Sequence, residues 1–97
     1  MFYGCHSIKA IIFSESFNTS NVESMYSMFA YCRSLISLNL SSFDTIKVTD
    51  MGYMFYECKN LTYLDMSHFS PLNITAINRM FKYIFFNLFE FKFFRNK

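Results

Sequence analysis

The apolar positions of this chain follow two rhythms that take turns. In Leu35-Ile36-Ser37-Leu38-Asn39-Leu40 the final residues alternate, so Leu38 and Leu40 point to one side and Asn39 to the other, as in a short strand. Leu61, Leu64 and Met66 repeat the arrangement, which predicts parallel strands around residues 36–40 and 62–66. Elsewhere the spacing changes. Val48, Met51, Met54 or Phe55, and Cys58 lie three or four apart and would share one face of a helix. A short helix and an irregular convex segment give similar patterns over so few residues, and both readings stand. Asn18, Asp44 and Ser70 occupy one equivalent slot before this run, each able to cap the free amides of a first helical turn. Pro71 follows Ser70, where its missing N–H would cost nothing.

These rhythms belong to a repeat. Met28-Phe29-Ala30-Tyr31-Cys32 returns as Met54-Phe55-Tyr56-Glu57-Cys58 and is anticipated by Met1-Phe2-Tyr3-Gly4-Cys5, while Met80-Phe81 begins a copy that then fails. Cys32 and Cys58 are 26 residues apart, Cys5 and Cys32 are 27, and the extra residue falls between Phe13 and Phe17. All seven methionines and the eight phenylalanines before residue 85 occupy apolar slots of the unit. One unit cannot bury its own apolar edge. About three stacked units are the usual minimum, which this chain barely reaches, and it reads as a minimal array or a piece of a longer one.

Composition adds constraints. Ninety-seven residues suit a single modest domain, and two Gly and one Pro argue against a disordered linker. The net charge of +2 is unevenly spread: residues 1–78 carry −2 and residues 79–97 carry +4. No run of 18 apolar residues is present, so a membrane-spanning helix is not expected, and no signal peptide is visible at the N-terminus.

Catalytic and metal chemistry find little support. Cys5, Cys32 and Cys58 share one repeat slot and should form a ladder of buried free thiols; no C-x₂-C spacing for zinc occurs. His6 and His68 fall in different slots without a carboxylate or cysteine at ligand spacing and read as surface residues. No nucleotide-binding, metalloprotease or nucleophile-elbow motif is present, so neither an enzyme nor a cofactor is expected. Sequons at Asn18, Asn39, Asn60 and Asn73 would mark exposed sites in a eukaryotic secretory protein.

The pattern M-F-x-x-C-x-x-L-x-x-L-x-L-S-x-F-D-T-x-x-V-T-D-M, clearest from Met28 to Met51, resembles the BspA-like leucine-rich repeats of bacterial and protist surface proteins, in the mycoplasma-lipoprotein-type DUF285 subtype. The resemblance covers residues 1–81 and departs at Pro71 and Leu72. It implies an α/β repeat fold, a right-handed leucine-rich-type solenoid of about three 26-residue turns. It also implies an extracellular or cell-surface location, roles in adhesion or in binding host or matrix proteins, and no shared catalytic residues.

By alternation the outward row of the strands should be Ala10 and Ile12, Ser37 and Asn39, and Tyr63 and Asp65, the candidate surface for a protein ligand. Tyr63 is the expected anchor, because aromatic side chains dominate protein interfaces. The expected organisation is a repeat array over residues 1–81 and a Phe/Lys-rich tail over 82–97. That tail could cap the last turn, rest on an anionic membrane surface, or be a non-native end of an A/T-rich gene. Membrane anchoring by this tail is the alternative to protein binding, and nucleic-acid binding is not expected.

Overall fold

In a computed structural model of the chain, residues 2–14, 16–70, 74–82 and 90–93 are described. The strands are β1 (Ala10–Ile11), β2 (Ser37–Asn39), β3 (Tyr63–Met66) and β4 (Glu90–Phe93), with a single helix among the described residues, α1 (Ile74–Met80). They form one parallel sheet in the order β1-β2-β3-β4. The register is the repeat register. Ala10 pairs with Ser37 and Ser37 with Tyr63, while Ile11 pairs with Leu38 and Leu38 with Leu64.

β4 extends the same sheet, pairing Glu90 with Tyr63 and Phe93 with Met66. It draws on the stretch in which the sequence pattern has lapsed. The remaining tail residues, 83–89 and 94–97, lie outside the described residues, as do Pro71 to Asn73.

Behind the sheet the apolar slots close into a continuous core. Leu35, Leu38, Leu40, Met54, Leu64 and Met66 are fully buried, whereas Ile8, in the slot of Leu35 and Leu61, is exposed. Rings in equivalent slots stack on one another: Phe2, Phe29, Phe55 and Phe81 form a column with centroids 5.4, 5.8 and 5.3 Å apart and planes within 15° of parallel. Phe17, Phe43 and Phe69 form a second column at 5.8 and 6.4 Å. Offset parallel rings at these separations add dispersion and quadrupole attraction to the apolar burial, about 0.5–1.5 kcal/mol per pair.

The segment opposite the strands is not a helix in the first two units. Its amides divide their bonds by parity. Met28, Ala30 and Cys32 donate back to the carbonyls of Met25, Ser27 and Phe29, closing three-residue turns. Met25, Ser27, Phe29 and Tyr31 donate instead across to Asp50, Gly52, Met54 and Tyr56 of the next unit, at 2.7–2.9 Å. An α-helix would consume every amide internally. Here half of them join neighbouring units, and the chain reaches that geometry by placing Ser27, Tyr31, Tyr53 and Glu57 at positive φ, with Gly4 in the slot of Tyr31. Apolar residues every three or four positions serve such a train of turns as well as a helix, so the irregular reading is the observed one there.

The proposed caps act accordingly. Asn18 Oδ1 accepts from the Ser20 amide and Asp44 Oδ1 from the Ile46 amide, each bracing a turn rather than a helical start. In the third unit α1 does form, over Ile74–Met80, and the expected helical start after Ser70 falls on residues 71–73, outside the described residues. The carbonyls of Arg79 and Met80, at its C-terminal end where a helix leaves acceptors free, receive the amides of Tyr53 and Phe55.

Candidate functional site

Two surfaces merit description, one on the strands and one on the train of turns. On the strand side, Ala10, Ser37 and Tyr63 stand side by side across β1 to β3, and Asn39 pairs with Asp65. Ala10 and Asn39 are exposed, Ser37 and Tyr63 are half-buried, and Ile12 is 93 % exposed. Asp65 departs from the expected row: it is only 7 % exposed. Asp65 is paired on both sides, with Asn39 of β2 and Lys92 of β4, whereas among the described residues Asn39 has a strand partner only in Asp65. Asp65 Oδ1 accepts the Ser67 amide at 2.9 Å. Asn39 makes the equivalent bond to the Ser41 amide at 2.9 Å while staying exposed. Period-two alternation assigns a side of the sheet but not whether that side is covered, and here it overstates Asp65.

The thiol ladder is built as the repeat slot requires, and its two inner members are buried. Cys32 Sγ donates to the Phe2 carbonyl and Cys58 Sγ to the Phe29 carbonyl, both at 3.0 Å, so each thiol reaches into the preceding unit. Cys5 is half-buried, and all three are free. Burial pushes the Cys58 thiol up to about 12, with the neighbouring Cys32 adding to the shift, and burial raises Cys32 as well. Thiols held neutral in this way are poor nucleophiles. Among the described residues no group of three or more His, Cys, Asp or Glu side chains could hold a metal ion.

On the turn side lies a feature the sequence reading passed over, a cluster of five tyrosines. Tyr31 contacts Tyr3 and Tyr56 with centroids 5.3 and 5.2 Å away, and Tyr53 contacts Tyr26 and Tyr56 at 5.6 and 5.8 Å. Together they enclose a shallow depression of about 360 Å³ floored by Ser27 and Ala30. The cause is a break in the ladder. Tyr3, Ala30 and Tyr56 share one repeat slot, and the middle unit moves its tyrosine to the next position, Tyr31, whose ring lies against both Tyr3 and Tyr56 while Ala30 itself is buried.

Cations rim this aromatic surface. Arg33 lies 5.3 Å from the Tyr31 ring centroid, while Arg79 and Lys82 lie 5.9 and 5.8 Å from that of Tyr53. Glu57, at the edge, is engaged by Lys59 at 3.2 Å and Arg33 at 3.7 Å. The available signal was the placement of tyrosines within two residues of the M-F pairs, but the five are spread over four repeat slots and so escape a search for identical residues at fixed spacing.

Comparison with known families finds a match, described as "Mycoplasma protein of unknown function, DUF285", over residues 1–90. No curated protein and no solved structure matches the chain significantly.

Proposed function

Because the chain belongs to the DUF285 family of mycoplasma proteins of unknown function, we propose that it is a non-catalytic protein-binding module, a leucine-rich-type solenoid of the BspA-like kind displayed by a surface or secreted protein. The observation that carries this reading is the strand register. Ala10, Ser37 and Tyr63 sit side by side although 26 or 27 residues separate them in the chain. The repeat thereby converts equivalent slots into a continuous row, and arrays of stacked repeats use such rows as extended docking surfaces. Ala10, Ile12, Ser37, Asn39 and Tyr63 supply its accessible groups, a mixture of apolar, amide, hydroxyl and phenol chemistry suited to a protein ligand.

The repeat also favours a right-handed path, the usual sense for a crossover between neighbouring parallel strands. Adhesion to a host or matrix protein is the biological role this surface would serve.

The test is binding of the purified chain to an immobilised panel of matrix glycoproteins and serum proteins, compared with Tyr63→Ala. Saturable binding to a panel member that drops at least tenfold in Tyr63→Ala is the expected result. A panel with no saturable binder, or a binder indifferent to Tyr63→Ala, would remove the proposal's footing.

A further inference from the structure

We infer that the edge where the train of turns enters the strands is a second binding site, and that it takes a linear sulfated polysaccharide. Charge is concentrated there. Residues 1–78 hold four Lys and Arg side chains, and three of them, Lys9, Arg33 and Lys59, lie along this edge. His6, Arg33 and Lys59 share one repeat slot, the position after the cysteine, and all three are exposed. The units are in register on both sides of that slot. Before it, the Gly4 amide bonds the Ala30 carbonyl at 2.9 Å and the Tyr31 amide that of Tyr56 at 2.7 Å. After it, the Ile36 amide bonds the Lys9 carbonyl and the Thr62 amide that of Ile36, both at 2.8 Å. Equivalent side chains therefore follow one another at one strand-to-strand step, about 4.8 Å.

Stacked cations repel, and the counter-charge nearby is small. Glu57 Oε2 is shared between Lys59 at 3.2 Å and Arg33 at 3.7 Å, and among the described residues no carboxylate pairs with Lys9 or His6. Asp44 and Asp50 brace turns elsewhere, and Asp65 is buried. Such a row attracts a ligand with anionic groups at regular intervals. The groove beside it selects the kind of polyanion. Lys9, Ser34, Ile36, Asn60 and Thr62 line about 370 Å³ with hydroxyl and amide groups, the partners that sugar hydroxyls require. Asn60 Nδ2 and Thr62 Oγ1 donate to the Arg33 and Ile36 carbonyls at 2.8 and 3.3 Å, which leaves their oxygens to accept. Single-stranded nucleic acid stacks its bases on aromatic rings, and no ring lines this groove. The step also sets the charge density. One pyranose spans roughly one unit of the stack, so each sugar must carry its own anion. Uronates alone charge every second sugar, and sulfation charges the rest.

The experiment is calorimetric titration of the full chain, at physiological salt, with a heparin-derived hexasaccharide. The controls are a hyaluronan hexasaccharide, carboxylated but unsulfated, and a single-stranded oligonucleotide of the same charge as the heparin fragment. Thermal melts confirm that each variant is folded. The proposal expects saturable binding of the heparin fragment and at least tenfold weaker binding of both controls. Lys9→Gln and Lys59→Gln each weaken it at least threefold. Lys47→Gln makes the same change of charge away from this edge, where its Nζ bonds Asn21 at 3.0 Å, and leaves binding unchanged. Glu57→Gln removes the competing carboxylate and strengthens binding at least twofold, a gain that damage to the fold would not produce. Tyr63→Ala leaves the titration unchanged, so this edge and the strand row fail or succeed separately. Absence of saturable binding at about 1 mM hexasaccharide overturns the assignment. So does equal binding of either control, or a loss in Lys47→Gln as large as in Lys59→Gln. Weaker binding by Glu57→Gln overturns it too, as does affinity that survives both Lys9→Gln and Lys59→Gln, which would place the contact on the basic residues of the tail.

Discussion

Cys58 shows how one side chain can be apolar filler and a tie between units at once. Its Sγ donates to the Phe29 carbonyl at 3.0 Å, and burial pushes the thiol up to about 12 from the ordinary 9.0. The linkage has a definite sign. The folded chain holds the neutral thiol and the unfolded chain releases its proton first, so this stabilisation is complete below pH 9 and drains away as the pH climbs towards 12. Melting temperatures of the native chain should therefore fall over that alkaline window, and Cys58→Ala should fall less steeply, once its cost at neutral pH is subtracted. Parallel pH profiles for the two chains would contradict the claim. Glu57, by contrast, sits at positive φ and is engaged by Arg33 and Lys59, both well exposed, and such surface pairs contribute little.

At the scale of the element, the turns rest on a threonine ladder as well as on backbone bonds. The Thr19 hydroxyl donates to the Asp44 carbonyl at 3.0 Å and accepts the Asp44 amide at 2.9 Å, while Thr45 Oγ1 accepts the Ser70 amide at 2.9 Å. Thr19 and Thr45 are both buried, so an apolar isostere strands the polar groups they serve. Thr19→Val should cost about 1–3 kcal/mol, the penalty of leaving a buried backbone group without its partner. Urea unfolding measures this, and a change below about 0.5 kcal/mol, the scatter of ordinary surface substitutions, would show that the ladder is incidental.

Elements of this kind were unequally legible from the residues. The strands and their register were plain because Leu38 and Leu64 are the same residue in the same slot and a strand needs only alternation. The turns were ambiguous because spacings of three and four suit a helix and a series of three-residue turns alike. What decides between them is the destination of the Phe29 and Tyr31 amides, a bond to another unit that no local pattern encodes. Asp65 was misplaced for a related reason: unlike Asn39 it is paired on its second side as well, with Lys92 of β4, a strand from a stretch without the repeat pattern. The tyrosine surface was missed because Ala30 breaks the slot that Tyr3 and Tyr56 share, and Tyr31 fills in from next door.

For the whole molecule, stability is shared through neighbours. The Phe29 ring packs between Phe2 and Phe55, and the Phe29 amide bonds Met54. Loosening one unit therefore exposes the faces of those beside it. Amide exchange should be slowest where both neighbours are present, at Leu38, Phe29 and Phe55, and fast at the exposed Ser14 and Ser16, whose hydroxyls meet at 3.1 Å on the surface. Hydrogen exchange read residue by residue checks this; equal rates at Phe29 and Ser16 would show that the units do not protect one another.

The parity of the turn bonds has a constructive consequence. Since Phe29 offers its amide to Met54 as Phe55 offers its own to Met80, the lower and upper rims of the middle unit present matching connectors at this slot. A second copy of residues 28–53 spliced in after Tyr53 would meet compatible donors beneath and acceptors above, and would extend the phenylalanine column by one ring. A protein assembled from interchangeable cassettes can lengthen by duplication alone, gaining reach for a ligand without redesigning a single joint.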